Sequence, residues 1–343
     1  MHGNISNLSG ASSTSHASLG IVVLSLIADL TIAAIKFVAA NISGSTAMSS
    51  EGVHSLVDAG TEVILLYGLL ASGRRANPEH QLGYGRELYF WNFVVAVLIF
   101  ALGAGVALLA GLHQLARPKP IDNEAVSYIV LASSAVIDGA ALWATIRRTG
   151  AGRGKDSLLR FLQRRRDPTA STILFGGVAS LVGIGATGGG ILASSITGDP
   201  RFDGLGSLVI AAILAITAFK LAAQSKSLLI GVPADPSVVT EIIEDTRKNP
   251  TVKCVNGMIS AHLAPEQLMV AMSVWFEDEL SKAGVEQAIA NIEDDLRRRH
   301  PQIIALFIKP QSPERYHALN GRGMRYSHVR IPGERSATPY ASV

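Results

Sequence analysis

Six apolar stretches limit what this chain can fold into. They run approximately Leu19–Ala40, Ala47–Leu70, Leu88–Leu112, Val126–Ile146, Thr172–Ile196 and Leu205–Ala223. Each is long enough to cross roughly 30 Å of hydrocarbon as a helix. Lipid offers no partner for backbone N–H and C=O groups, so such stretches must bond internally and fold as helices. The turn between the first two, NISGST, is short and uncharged and makes them an antiparallel hairpin. With 48% hydrophobic and 17% charged residues, the composition suits a membrane protein carrying a soluble part.

Basic residues sort by loop. Arg74, Arg75 and Arg86 follow span two, and eight Lys or Arg residues between Arg147 and Arg166 follow span four. The opposite loops hold only Arg117, Lys119 and Arg201. Positive charge stays on the cytoplasmic side, so both termini are expected there. The expected setting is a multi-pass protein of the plasma membrane, or of the inner membrane in a bacterium. The net charge of +3 gives no case for nucleic acid as a partner. Residues 1–17 read as a disordered tail without the pattern of a cleaved signal peptide. The single Cys254 excludes an intrachain disulfide and a Cys-rich zinc cluster.

Span two is apolar but carries Glu51, His54, Asp58 and Glu62. Their spacing of i, i+3, i+7 and i+11 gathers them within about 80° of one helix face. Each such side chain costs on the order of 3 kcal/mol at the bilayer centre, so it is retained for a substrate, a proton path or a polar partner. Span one adds Asp29 and Lys36, seven residues apart and two turns from each other on a shared face. Asp29 reads either as paired locally or as a wall of the same polar cavity. Lys36 reads as paired or as snorkelling to the interface. Asp138, alone in span four, reads equally as a hydrogen-bond node or a proton carrier. Tyr84, Tyr89 and Trp91 read as an interfacial belt. In span five, Gly185 and Gly189 form a G-x-x-x-G, read as a close helix-packing face.

Beyond Ser227 the composition becomes that of a soluble domain. The periodicities predict a helix over Pro236–Lys248, strands over Thr251–Leu263 and Gln267–Phe276, a helix over Ala283–Arg299 and a strand over Ile303–Ile308. The expected organisation is a tail (1–17), a six-helix membrane domain (18–226), a cytoplasmic α+β domain of order α-β-β-α-β (227–310) and a disordered tail (311–343). No H-E-x-x-H or G-x-S-x-G is present, and the chain does not read as an enzyme.

Several stretches, in this order and spacing, resemble the cation diffusion facilitator family of divalent-metal transporters. They are GSTAMSSEGVHSLVDAG, HQLGYGRELYFW, RRRDP, FDGLGSLVI, SLLIG and HLAPEQLMVAMSV. The resemblance covers roughly Leu19 to Pro310. It implies a homodimer in the lipid bilayer with six spans per subunit and a metallochaperone-like cytoplasmic domain that helps dimerise. It implies export of Zn²⁺, Mn²⁺, Co²⁺ or Fe²⁺ by alternating access in exchange for protons, the cation being substrate, with no permanently bound cofactor. Two residues of span two and two of span five normally form the family's tetrahedral site. His54 and Asp58 match the span-two pair.

Departures from the family pattern are specific. The two span-five acids are replaced by Gly176 and Gly177. A second family site, D-x-x-H-x-x-x-H, is reduced to Asn77, His80 and Tyr84. Asp29 and Glu62 stand where the matching branch carries Asn and Gln, which would restore the lost charge. The expected metal site is therefore His54, Asp58 and Glu51 with Asp29 or Glu62. So many oxygen donors favour Mn²⁺, Co²⁺ or Fe²⁺ over Zn²⁺. His262 and His300 are candidates for regulatory metal, though an ordinary strand-end or helix-end role is favoured for both. The missing acids leave an alternative open: a non-transporting homologue with a structural or regulatory role.

Overall fold

The computed structural model describes residues 26, 27, 29–121, 123–150 and 168–320. The N-terminal tail, the start of the first expected span and most of the Arg-rich loop after Arg147 lie outside them. Among the described residues, five helices are long and apolar enough to cross a membrane. They are α2 (Thr46–Ser72), α3 (Glu87–Ala116), α4 (Glu124–Gly150), α5 (Pro168–Thr197) and α6 (Arg201–Ile230). Residues 29–43 are also helical and form α1.

Local chemistry sets the ends of these helices. Gly44 turns the chain between α1 and α2 at φ 71°, a conformation that costs glycine little. Ser45 then caps α2, its side chain accepting from the Met48 N–H. Helix α6 continues past the expected end of its span at Ala223, through Lys226 to Ile230. The apolar run ends at the water, but nothing breaks the helix until Gly231 and Pro233. Inside α3, Ile99–Ala104 form a π turn.

Close approach between helices uses glycines outside the G-x-x-x-G: a Cβ at Gly177 of α5 would lie 3.1 Å from the Leu142 side chain of α4. A Cβ at Gly111 of α3 would lie 2.9 Å from the Gly204 carbonyl of α6. Around Gly185 and Gly189 a Cβ would meet nothing within 4 Å, so the G-x-x-x-G is not a packed face among the described residues. Tyr89, expected in an interfacial belt, is fully buried against the protein.

The chain divides into two compact units. One holds residues up to Arg74 together with Glu87–Lys226; the other joins Arg75–Arg86 to the segment from Ser227 on. In the second unit follow α7 (Pro236–Arg247), β1 (Val252–Ala264), β2 (Gln267–Phe276), α8 (Lys282–Arg299), β3 (Ile303–Pro310) and α9 (Pro313–Asn320). The sheet order is β1-β2-β3, with β1 antiparallel and β3 parallel to β2. Helices α7 and α8 lay Val239, Ile242, Ile243, Ala288, Ile292 and Leu296 onto one face, against Val255, Val270, Val274 and Leu306. Helix α9 lies in the stretch expected as a disordered tail. Its Ser312 carbonyl, accepting from the Tyr316 N–H, starts a helix at Pro313 that composition alone does not announce.

Candidate functional site

The polar stripe of α2 divides into two halves. Glu51 and His54 are buried within the protein, away from the acidic cavity that the other half lines. Glu51 faces Lys36 of α1, which is also completely buried. The Lys36 ammonium donates to Glu51 Oε2 at 2.9 Å and to Ser55 Oγ at 2.8 Å. His54 lies between two carboxylates. Its Nδ1 is 3.7 Å from Glu51 Oε1 and its Nε2 is 3.2 Å from Asp58 Oδ2.

Asp58 and Glu62 belong to the other half. The Asp58 side chain is 32% exposed, and both line a cavity of about 150 Å³. Asp29 and Ile32 of α1, Ile99 at the π turn of α3, Asp138 of α4 and Thr172, Gly176, Gly177 and Ser180 of α5 complete much of its wall. Asp29 meets Glu62 side chain to side chain, and Ser180 Oγ donates to Asp138 Oδ2 at 2.6 Å. Four carboxylates from three helices thus face one small space. Oxygen donors of this kind suit hard and borderline divalent cations. Among the described residues, no group of three or more His, Cys, Asp or Glu is already drawn together tightly enough to hold a metal ion.

Of the residues singled out from sequence, Asp29, Asp58 and Glu62 share this cavity, while Glu51 and His54 do not line it. Gly176 and Gly177 lie in its wall, and a Cβ at Gly176 would meet nothing within 4 Å. Sequence reasoning left Asp138 undecided and missed Lys36 as the partner of Glu51. Each was the sole unexplained charge of its kind in its span, and that is the signal that could have joined them to the site.

Two outlying sets behave differently. Asn77, His80 and Tyr84 do converge in the Arg75–Arg86 segment. Asn77 Nδ2 donates to the Tyr84 hydroxyl at 2.9 Å, and the His80 ring stacks 4.4 Å from that of Tyr84. His300 ends α8 with Nε2 3.2 Å from Asp245 Oδ2, while His262 sits within β1 opposite Leu268.

An acidic cavity among apolar helices of membrane-spanning length defines an integral membrane protein, and comparison with known proteins gives its family. Residues 22–230 match the cation efflux transmembrane domain, and the chain belongs to that family, one of transporters and not of enzymes. The chain is 29% identical over 270 residues to the human mitochondrial proton-coupled zinc antiporter SLC30A9, covering 76% of this chain and 47% of that protein. It is 27% identical over 240 residues to metal tolerance protein C4 of Arabidopsis thaliana, covering 69% of this chain and 52% of the relative. A probable cation efflux system protein of Mycobacterium tuberculosis is 26% identical over 314 residues, covering 90% and 87%. The chain therefore spans about half the length of the first two relatives.

Proposed function

We propose that this protein exports a divalent transition-metal cation from the cytoplasm by alternating access, in exchange for protons, and works as a homodimer with six spans per subunit. The cavity carries this reading: Asp29, Asp58, Glu62 and Asp138 converge there from three helices. Carboxylates this costly in a membrane are retained where a cation passes. The cavity is lined by the middle of α2, by the half of α4 nearer Arg147 and by the first turns of α5. The α4 and α5 parts lie toward the Arg-rich loop that joins them, which supports loading from the cytoplasm.

Asp58 is the central ligand, joined by Asp29, Glu62 or Asp138 as the helices close on the ion, with His54 Nε2 beside it. Mn²⁺, Co²⁺ and Fe²⁺ suit these donors ahead of Zn²⁺. Carboxylates and imidazole both take up protons when the metal leaves, which supplies a route for exchange. Similarity to a proton-coupled zinc antiporter supports proton coupling and keeps zinc among the candidates. A second reading, a non-transporting homologue, is favoured by the lack of a preformed group of three donors among the described residues.

Flux into proteoliposomes separates the two. Wild type and Asp58→Ala are compared with Mn²⁺, Co²⁺, Fe²⁺ and Zn²⁺, with and without a pH gradient. Uptake that requires Asp58 and is driven by the gradient is the expected result. Folded wild-type protein that moves none of the four ions sinks the transport reading.

A further inference from the structure

Glu51 belongs to the acidic stripe by sequence, but its surroundings give it another task. One carboxylate oxygen accepts from the Lys36 ammonium, which is itself closed off from solvent. The other, Oε1, lies directly against the backbone of α5 at Gly183, where any Cβ would collide with it. Glu51 is thus walled in on both sides. Beyond it, Oε1 lies 3.7 Å from His54 Nδ1, and the far side of that ring lies 3.2 Å from Asp58, the carboxylate that opens onto the cavity.

A buried ion pair is seldom a net source of stability, because desolvating both charges offsets their attraction. Well-packed apolar or neutral residues could hold α1 to α2 equally well. The arrangement instead forms a line from Lys36 through Glu51 and His54 to Asp58. It resembles the groups behind many metal ligands, where a carboxylate fixes the orientation of an imidazole.

We propose that Lys36 is a positioning residue for cation transport. Its ammonium is a tethered cation that holds Glu51 out of the cargo site and, through Glu51, sets the His54 ring against Asp58. Glu51 is then a positioning residue too, and the cargo ligands are those of the cavity. This rests on the transport reading above. It predicts that the pair affects metal recognition more than folding. It also predicts that Gly183 must stay small, since a side chain there would drive Glu51 off its place.

The test compares wild type, Lys36→Met, Glu51→Gln and the double variant Lys36→Met/Glu51→Gln. Initial Mn²⁺ and Zn²⁺ uptake is measured against metal concentration in proteoliposomes, alongside thermal unfolding in detergent. Lys36→Met alone strands a buried carboxylate and is expected to lower stability sharply. The double variant replaces both charges by near-isosteres and is expected to fold. Its KM should rise about tenfold or more, as when the groups behind a metal ligand are lost, with a smaller change in kcat. A double variant with wild-type KM, or one that does not fold, overturns the proposal, because the pair then serves the fold alone. A lowered KM in Lys36→Met also overturns it, since Glu51 would then be a cargo ligand masked by the lysine. Absence of any wild-type uptake would overturn the transport reading and this inference with it, whereas the other outcomes leave that reading standing.

Discussion

Asp245 ties α7 to α8 in the C-terminal unit. Lys248 Nζ donates to it at 2.6 Å and Arg299 Nη1 at 2.9 Å, and His300 Nε2 lies 3.2 Å away. The Lys248 hydrogen bond, followed by His300 and the charges of Arg299 and Lys248, holds the Asp245 carboxyl below the usual aspartate value. A lowered folded-state value adds stability above the unfolded value of about 4, and that stability is lost as pH falls through the lower folded value. Hydrogen-exchange protection in α7 and α8, taken relative to the intrinsic exchange rate at each pH, should therefore be unchanged from pH 7 to 5 and fall below about pH 4. Asp245→Asn should already show faster exchange at pH 7, by on the order of 1 kcal/mol or less for so accessible a network. Equal protection in both proteins at pH 7 would count against the tie. The sequence made His300 a helix-end residue or a metal ligand; the first role holds, but its partner lies 55 positions back and no local pattern points there. Glu51 illustrates the same limit. Helical spacing grouped it with Asp58 on one face, yet what occupies that face depends on Lys36 and Gly183, which come from other helices.

At the scale of elements, hydropathy located the helices well because lipid leaves a long apolar run no other fold. It located their ends less well, since a helix stops at a breaker and not where the apolar run ends. The π turn in α3 was invisible for a related reason: it is a change of hydrogen-bond pattern with no distinctive composition. The start of α2 was only partly legible. Ser45 was in place as a cap, but the stronger cap is Asp203, which reaches over from α6. Its carboxylate accepts from Ser45 Oγ at 2.6 Å, from the Thr46 N–H at 2.6 Å and from the Ala47 N–H at 3.3 Å. It also places negative charge at the positive end of the α2 dipole. Ser50 Oγ donates to Ser207 Oγ at 3.1 Å one turn further on. Asp203→Ala would leave buried donors unsatisfied, each costing about 1–3 kcal/mol. The expected result is a lower unfolding temperature in detergent, with the KM for metal in the remaining folded protein close to wild type. A variant as stable as wild type would show that α2 does not depend on this cap.

At the scale of the whole molecule, the change from apolar spans to an amphipathic α/β pattern at Ser227 was plain from composition. That Arg75–Arg86 would join the second unit was not. Gly85 sits so close to the β1–β2 hairpin that a Cβ would lie 2.8 Å from the Leu263 carbonyl, a contact no periodicity encodes. Helices α7 and α8 of that unit pack on one face of its sheet. Ile259, Ala271 and Phe307 stand in register across its three strands on the open face, with Phe307 57% exposed and Ile259 40% exposed. Three-stranded sheets with one apolar face open to water call for a cover, and a second copy of the chain offers an equal apolar face. Phe307→Asp places a charge on the β3 side of that face without touching the core beneath it. In a homodimer joined there, the substitution should shift detergent-solubilised protein toward monomer, measured by light scattering, while α7, α8 and the sheet remain folded by circular dichroism. If the variant keeps the wild-type mass, the dimer contact, if any, lies elsewhere on the chain and the face is left for another partner.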